Sequence, residues 1–286
     1  MEIILANILN GISYASILFL IASGLSLVFG VMGVINLAHG ALYMLGAFIG
    51  LSIATYSNNF LIASIGAVVG LGIIGLLVER VFLGRLYKRM DQQALLTLGF
   101  VYIFGNVALW IWGPWPLMGP RPAILSSSIT IGDYAFPIYR FGLIFIGLAL
   151  FFGLWYLQDK TRLGARVRAG MDNKNMTMSL GINYGLISTA IFVLGAAMGG
   201  LAGFLGSPIL GADYNMSMHT LLLAMIVVVV GGLGSVQGAL IGSLIIGVID
   251  TFGNAYFPDF AMFTAYLIFI IILLVRPTGL LGRKRI

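Results

Sequence analysis

Nine apolar runs constrain this chain more than any motif in it. They fall at 5–31, 36–54, 60–83, 93–112, 141–157, 184–207, 217–231, 236–252 and 261–276. A helix needs about 20 apolar residues to cross the hydrocarbon core. The fifth, seventh and eighth runs are short, and are expected to be tilted, half-spanning or re-entrant. The expected count is therefore about eight to ten membrane segments. Composition closes the soluble alternative. The chain is 60% hydrophobic and 8% charged, where a soluble domain carries about 25% charged residues. The reading is an all-α, polytopic membrane helical bundle, a single domain over 1–286, with the lipid bilayer as its solvent.

The basic residues orient that bundle. Arg80, Arg85, Lys88 and Arg89 fall after the third run. Lys160, Arg162, Arg166, Arg168 and Lys174 fall after the fifth, and Arg276, Arg283, Lys284 and Arg285 after the last. With nine alternating segments these all lie on one side, and only Arg121 and Arg140 lie on the other. The positive-inside rule then puts the N-terminus outside and the C-terminus in the cytoplasm. It also accounts for the net charge of +6 without nucleic acid. Met1 and Glu2 lack the basic region of a cleavable signal, so the first run is expected to be retained. The longest outer loop, 113–140, holds five prolines and is flanked by Trp110, Trp112 and Trp115. It reads as an ordered, non-helical cap at the interface.

The stretch 24–48 is apolar at both ends but not in its middle. Gly33 and Gly40 bracket Asn36 and His39, where a simple anchor would carry Leu. Non-helical backbone at membrane depth survives only if protein or water satisfies its amides. Two readings stand. In one, Asn36, His39 and Tyr43 shape the inner end of a substrate path. In the other, Asn36 caps the helix from Leu37 and His39 bonds a backbone carbonyl. The spacing of Gly33 and Gly40 recurs at Gly231 and Gly238, each followed by Ala-Leu. These four glycines are expected where helices bend or touch closely, near the cytoplasmic side. The segment 231–238, GGLGSVQG, lacks the Gly-Lys-Ser/Thr ending of a phosphate loop. It reads as a tight turn or a broken-helix gap, with Ser235 and Gln237 facing a path or satisfying the turn.

The cytoplasmic loop 158–181 is longer than a topology signal needs. Thr161 is placed to cap a short helix carrying Arg162, Arg166 and Arg168, and Asn173 or Asn175 a second one ending before Gly181. Two such helices at a membrane face form either a docking surface or a plain basic loop against headgroups. No catalytic set emerges, because there is no Cys, the two His are far apart, and the acids sit at segment ends and in loops. No metal and no cofactor is expected. Asp250 and Glu79 are read as interfacial, which counts against an ion-driven carrier.

Several pieces of this chain together resemble a known family. They are Asn10-Gly11, GLSLVFG from Gly24, GVINLAHG over 33–40, LLTLG over 95–99, TRLGARVRA over 161–169 with Gly181-Ile182, GGLGSVQG over 231–238, and RPTG over 276–279. The chain resembles the permease subunit of branched-chain amino-acid ABC importers, a class that also includes urea and short-amide permeases. The resemblance implies a bacterial inner-membrane subunit with no ATPase activity of its own. It implies a second permease subunit, usually a non-identical homologue, two cytoplasmic ATPase subunits, and an external substrate-binding protein. It also implies that 158–181 carries the coupling helices. Thr161, Arg162, Gly164, Ala165, Arg166, Arg168, Asp172 and Gly181 would then serve ATPase coupling, with Gly164 and Ala165 allowing close approach. The alternatives kept open are a urea or short-amide permease, a passive channel for small neutral solutes, and a secondary carrier.

Overall fold

The computed structural model describes residues 2–33, 36–86, 89–131 and 134–282. The helices are α1 (Glu2–Met32), α2 (His39–Ser57), α3 (Phe60–Leu77), α4 (Met90–Trp112), α5 (Ile138–Lys160), α6 (Arg162–Asp172), α7 (Lys174–Ser179), α8 (Tyr184–Leu210), α9 (Met216–Gly231), α10 (Val236–Tyr256) and α11 (Ala261–Val275). Seven helices are long and apolar enough to cross a membrane. Helices α9 and α11, with 16 and 15 residues, rise only about 24 and 22 Å. The fifth and eighth runs are longer than their apolar letters suggest. α10 continues past the hydrophobic run because Asn254 Nδ2 donates back to the Asp250 carbonyl at 2.8 Å, which ties the polar last turn.

Helix α1 is the axis of the bundle and packs against α5, α8, α9 and α10. Small residues set those contacts, as expected where lipid gives no hydrophobic drive between helices. The Gly24 and Gly195 backbones touch, and Gly247 lies on Ala15. Gly46 lies on Gly200, and Gly203 on the Tyr43 carbonyl, which joins α2 to α8. Around this core α3, α4, α5 and α11 turn large apolar side chains outward, among them Ile65, Ile103, Phe145 and Leu267. So much exposed apolar surface suits lipid rather than water.

The two ends of the bundle differ. At one end lies the cap expected over 113–140, with a 3-10 turn at Ala123–Leu125 and its last three residues already in α5. It includes a hairpin of β1 (Ser128–Ile131) and β2 (Tyr134–Pro137), with Ser128 opposite Pro137 and Ile129 opposite Phe136. Leu117 and Ala212 exchange backbone hydrogen bonds of 2.9 and 2.7 Å, which fastens the cap to the α8–α9 connection. At the other end lie α6 and α7, the 231–238 turn, the segment after α11 and the α3–α4 connection. There Leu280 and Leu281 donate to the carbonyls of Val230 and Gly231 at 2.8 and 3.0 Å. A π-helical turn at Val78–Phe82 tucks Glu79 inward, where Thr189 Oγ1 donates to its Oε2 at 2.7 Å. Glu79 is buried, not interfacial.

Candidate functional site

Met32 ends α1, and Gly33 leaves it with φ of +69°. By His39 the chain has climbed back to the level of Ile21, whose carbonyl lies 3.0 Å from His39 Nε2. Ile21 is 11 residues before Met32, or roughly 16 Å along the axis. The crossing to α2 is therefore re-entrant, and His39 sits at mid-depth rather than near the end of the bundle where the sequence reading placed it. The amides at its α2 end are bonded by protein. Leu37 N–H donates to Thr97 Oγ1 at 3.2 Å and Ala38 N–H to Asn36 Oδ1 at 3.1 Å. Asn36 thus supports the start of α2. His39 is fully buried, with its ring between Gly24 and Gly199. Asn36 Nδ2 and His39 Nδ1 are buried and meet no hydrogen-bond partner among the described residues.

A cavity of about 240 Å³ opens beside this core. Tyr14, Ile17, Leu18 and Ile21 of α1 form one wall, and Met216, His219, Thr220 and Leu223 of α9 the opposite wall. Both quartets have the i, i+3, i+4, i+7 spacing of a single helix face. Tyr43 of α2, with Leu210, Gly211 and Asp213 from the end of α8, completes it. Asp250 of α10 lies near enough for its charge to act on Tyr14 and His219. Of the five residues the sequence assigned to a path, Tyr43 lines this cavity. Asn36, His39, Ser235 and Gln237 do not. Ser235 Oγ accepts from Gly238 N–H at 2.9 Å as the N-cap of α10, and Gln237 is exposed at the far end.

The elbow of α6 and α7 is built as its letters imply. Thr161 Oγ1 accepts from Gly164 N–H at 3.1 Å, and Asn173 Oδ1 from Met176 N–H at 3.0 Å. Gly181 turns with φ of +77°. Arg162, Ala165, Arg166 and Asp172 are exposed, as are Leu163, Met176 and Leu180. Two residues depart from the coupling assignment. Arg168 turns back on its own chain, bonding the Gln158 carbonyl and lying 3.6 Å from Asp159. Gly164 is buried against the carbonyls of Leu157 and Gln158, so its lack of a side chain serves the elbow itself.

The elbow is fastened to the axis helix. Tyr184, the first residue of α8, lies with its ring against Gly170 of α6 and donates its hydroxyl to the Val31 carbonyl. The Met171 methyl group fits between Gly30 of α1 and Gly234 of the 231–238 turn. That turn is fixed further where Gly234 N–H donates to Ser26 Oγ at 3.1 Å. The sequence reading missed Tyr14, Asp213, His219 and Met171. The spacing of the α1 quartet was present, but α1 is apolar on every side and its letters mark no face.

A bundle of apolar helices around a cavity, with a capped elbow outside it, defines a multi-pass membrane permease. The family model described as "Branched-chain amino acid transport system / permease component" matches residues 7–275, and the chain belongs to that family. It is 30% identical to the high-affinity branched-chain amino acid transport system permease protein BraD of Pseudomonas aeruginosa, over 99% of this chain and 97% of that one. It is 30% identical to LivH of Escherichia coli, over 99% and 96%. It is 27% identical to a probable LivH of Methanocaldococcus jannaschii, over 96% and 92%. A chain of the solved structure described as PsaBC from Streptococcus pneumoniae in complex with Fab is similar in fold. The TM-score is 0.50 and the identity 14%, over 94% of this chain and 91% of that one.

Proposed function

We propose that this chain is one permease subunit of an ATP-driven importer of branched-chain amino acids in a bacterial inner membrane. It forms a single domain and works by alternating access. The observation that carries the reading is the elbow, joined to a family match over nearly the whole chain. The relatives' names supply the cargo. The elbow presents Arg162, Arg166 and Asp172 beside exposed Leu163, Met176 and Leu180. A polar rim around apolar anchors is the composition of a protein interface. Two cytoplasmic ATPase subunits are the occupants that fit a family of transporter components. An external binding protein delivers cargo at the capped end, and a second permease subunit, a non-identical homologue, completes the pathway.

The N-terminus lies outside and the C-terminus in the cytoplasm, because the elbow end carries Arg80, Arg85, Arg89, Arg162, Arg166 and Arg276. ATP-driven closure of the partners supplies the difference in free energy between inward- and outward-open states. Thr161 and Gly181 hold the ends of the elbow, and Gly164 and Arg168 its inner contact, so that the elbow moves as one piece. Replacing both Arg162 and Arg166 by Glu is expected to lower uptake by about 100-fold, with ATPase subunits lost on purification and the permease still inserted. Unchanged uptake would remove the coupling assignment and leave a passive channel as the better account.

A further inference from the structure

Asp213, Tyr14, Tyr43 and Thr220 place one carboxylate and three hydroxyls around a cavity whose deeper walls are hydrocarbon. The segregation follows from chain order. Along α1, Tyr14 precedes Ile17, Leu18 and Ile21. Asp213 lies just before α9, and His219 and Thr220 on it precede Leu223. The polar groups therefore gather toward the capped end beside Leu210 and Met216, and Ile21 and Leu223 lie below them. Tyr43 is 2% exposed, and its hydroxyl makes no hydrogen bond to another described residue. Tyr43 lines the cavity, where a ligand can reach it. Asp213 Oδ1 accepts the Asn215 N–H at 2.6 Å, which fixes the carboxylate while its other oxygen stays available.

We propose that this cavity is a transient subsite for a zwitterionic amino acid with a short branched side chain, a reading that rests on the cargo proposed above. Asp213 takes the ammonium. The hydroxyls of Tyr14, Tyr43 and Thr220 donate to the carboxylate. Ile21 and Leu223 receive the aliphatic side chain. The volume of about 240 Å³ leaves room for one small solute. A lone cation would want several oxygens of like charge around it, and the walls supply one carboxylate. A neutral polyol would leave Asp213 unmatched and would waste the hydrocarbon floor. One charge pair and a few neutral hydrogen bonds hold weakly, which suits a subsite that must release what it receives.

The test uses the complete importer in vesicles, with ATPases and binding protein, and reads moles of valine and of leucine taken up per ATP hydrolysed. Asp213→Asn keeps an oxygen for the Asn215 N–H and removes the charge. Uptake per ATP should fall about tenfold for both substrates, the size of one charge-assisted bond. Leu223→Phe fills the floor and should lower leucine relative to valine by about fivefold. Leu223→Ala should shift the ratio the other way, and stands in if the Phe variant does not assemble. Ratios within twofold of wild type in these variants would overturn the subsite. A wild-type assembly that moves neither amino acid overturns the cargo reading, and the subsite with it. Leucine uptake with an unchanged size preference overturns the subsite alone.

Discussion

The two glycine-bracketed stretches share a spacing and nothing else. Gly231 and Gly238 face each other across a tight turn. A Cβ at Gly231 would lie 2.1 Å from the Gly238 carbonyl oxygen, and one at Gly238 would lie 2.2 Å from that of Gly231. Gly33 and Gly40 never meet. Gly33 has only the end of Met90 within 4 Å, at 3.8 Å, whereas Gly40 lies against the Ser217 carbonyl. The first stretch climbs to mid-depth and starts a helix there. The second reverses the chain at the bundle end and is gripped by Ser26, Met171 and the segment after α11. A glycine in a membrane bundle answers to what lies opposite it, and spacing along the chain does not say what that is.

The largest effect should come from Gly238→Ala. Its Cβ would meet backbone, which cannot swing aside as a side chain can, and both α9 and α10 would have to shift. Overpacking of that kind costs about 3 kcal/mol or more. The expected result is little assembled permease after detergent extraction and no uptake. Gly40→Ala, with its Cβ 2.0 Å from the Ser217 oxygen, should do comparable harm. The two stretches would then each hold one close-contact glycine. A Gly238→Ala protein that melts within a few degrees of wild type would break the contrast with Gly33.

Met171→Ala sharpens the comparison from the other side. Only the second stretch is tied to the elbow, through the methyl group between Gly30 and Gly234. Truncating a partly buried Met costs about 2 kcal/mol, which a bundle of this size survives. The specific loss should be in coupling, with uptake per ATP down about fivefold and ATP hydrolysis continuing. An unchanged ratio would mean that the elbow drives α1 by another route, the Tyr184–Val31 bond being the next to test.

Much of this was legible in the letters. The apolar runs marked the helices, and Thr161 and Asn173 their caps, because lipid imposes length and helix ends need side-chain acceptors. The depth of His39 was not legible. It depends on where the six-residue crossing stops along α1, and nothing local records that. The cavity was hidden for a related reason. In a helix that is apolar all round, the hydrophobic pattern marks no face, so the Tyr14–Ile21 and Met216–Leu223 faces gain meaning only when α1 and α9 are set opposite each other. Arg168 misled because a basic residue in a basic loop reads as surface until its carbonyl partner is seen.

The smallest effect, and the cleanest check on the contrast, is expected at Gly33. Among the described residues, an added methyl group meets nothing closer than the end of Met90 at 3.8 Å. What remains is the backbone, held at φ of +69°, where an L side chain costs about 1 kcal/mol. Gly33→Ala should therefore assemble, transport, and melt only slightly lower in detergent. Gly33→Asn should recover most of that loss, since Asn tolerates the left-handed region better than Ala. This ranking follows from torsion alone, whereas at Gly238 both substitutions should fail alike, because volume decides there. If Gly33→Ala proves as damaging as Gly238→Ala, and Asn brings no recovery, then the first crossing is packed against a partner, and the difference between the two stretches would be one of neighbours yet to be found.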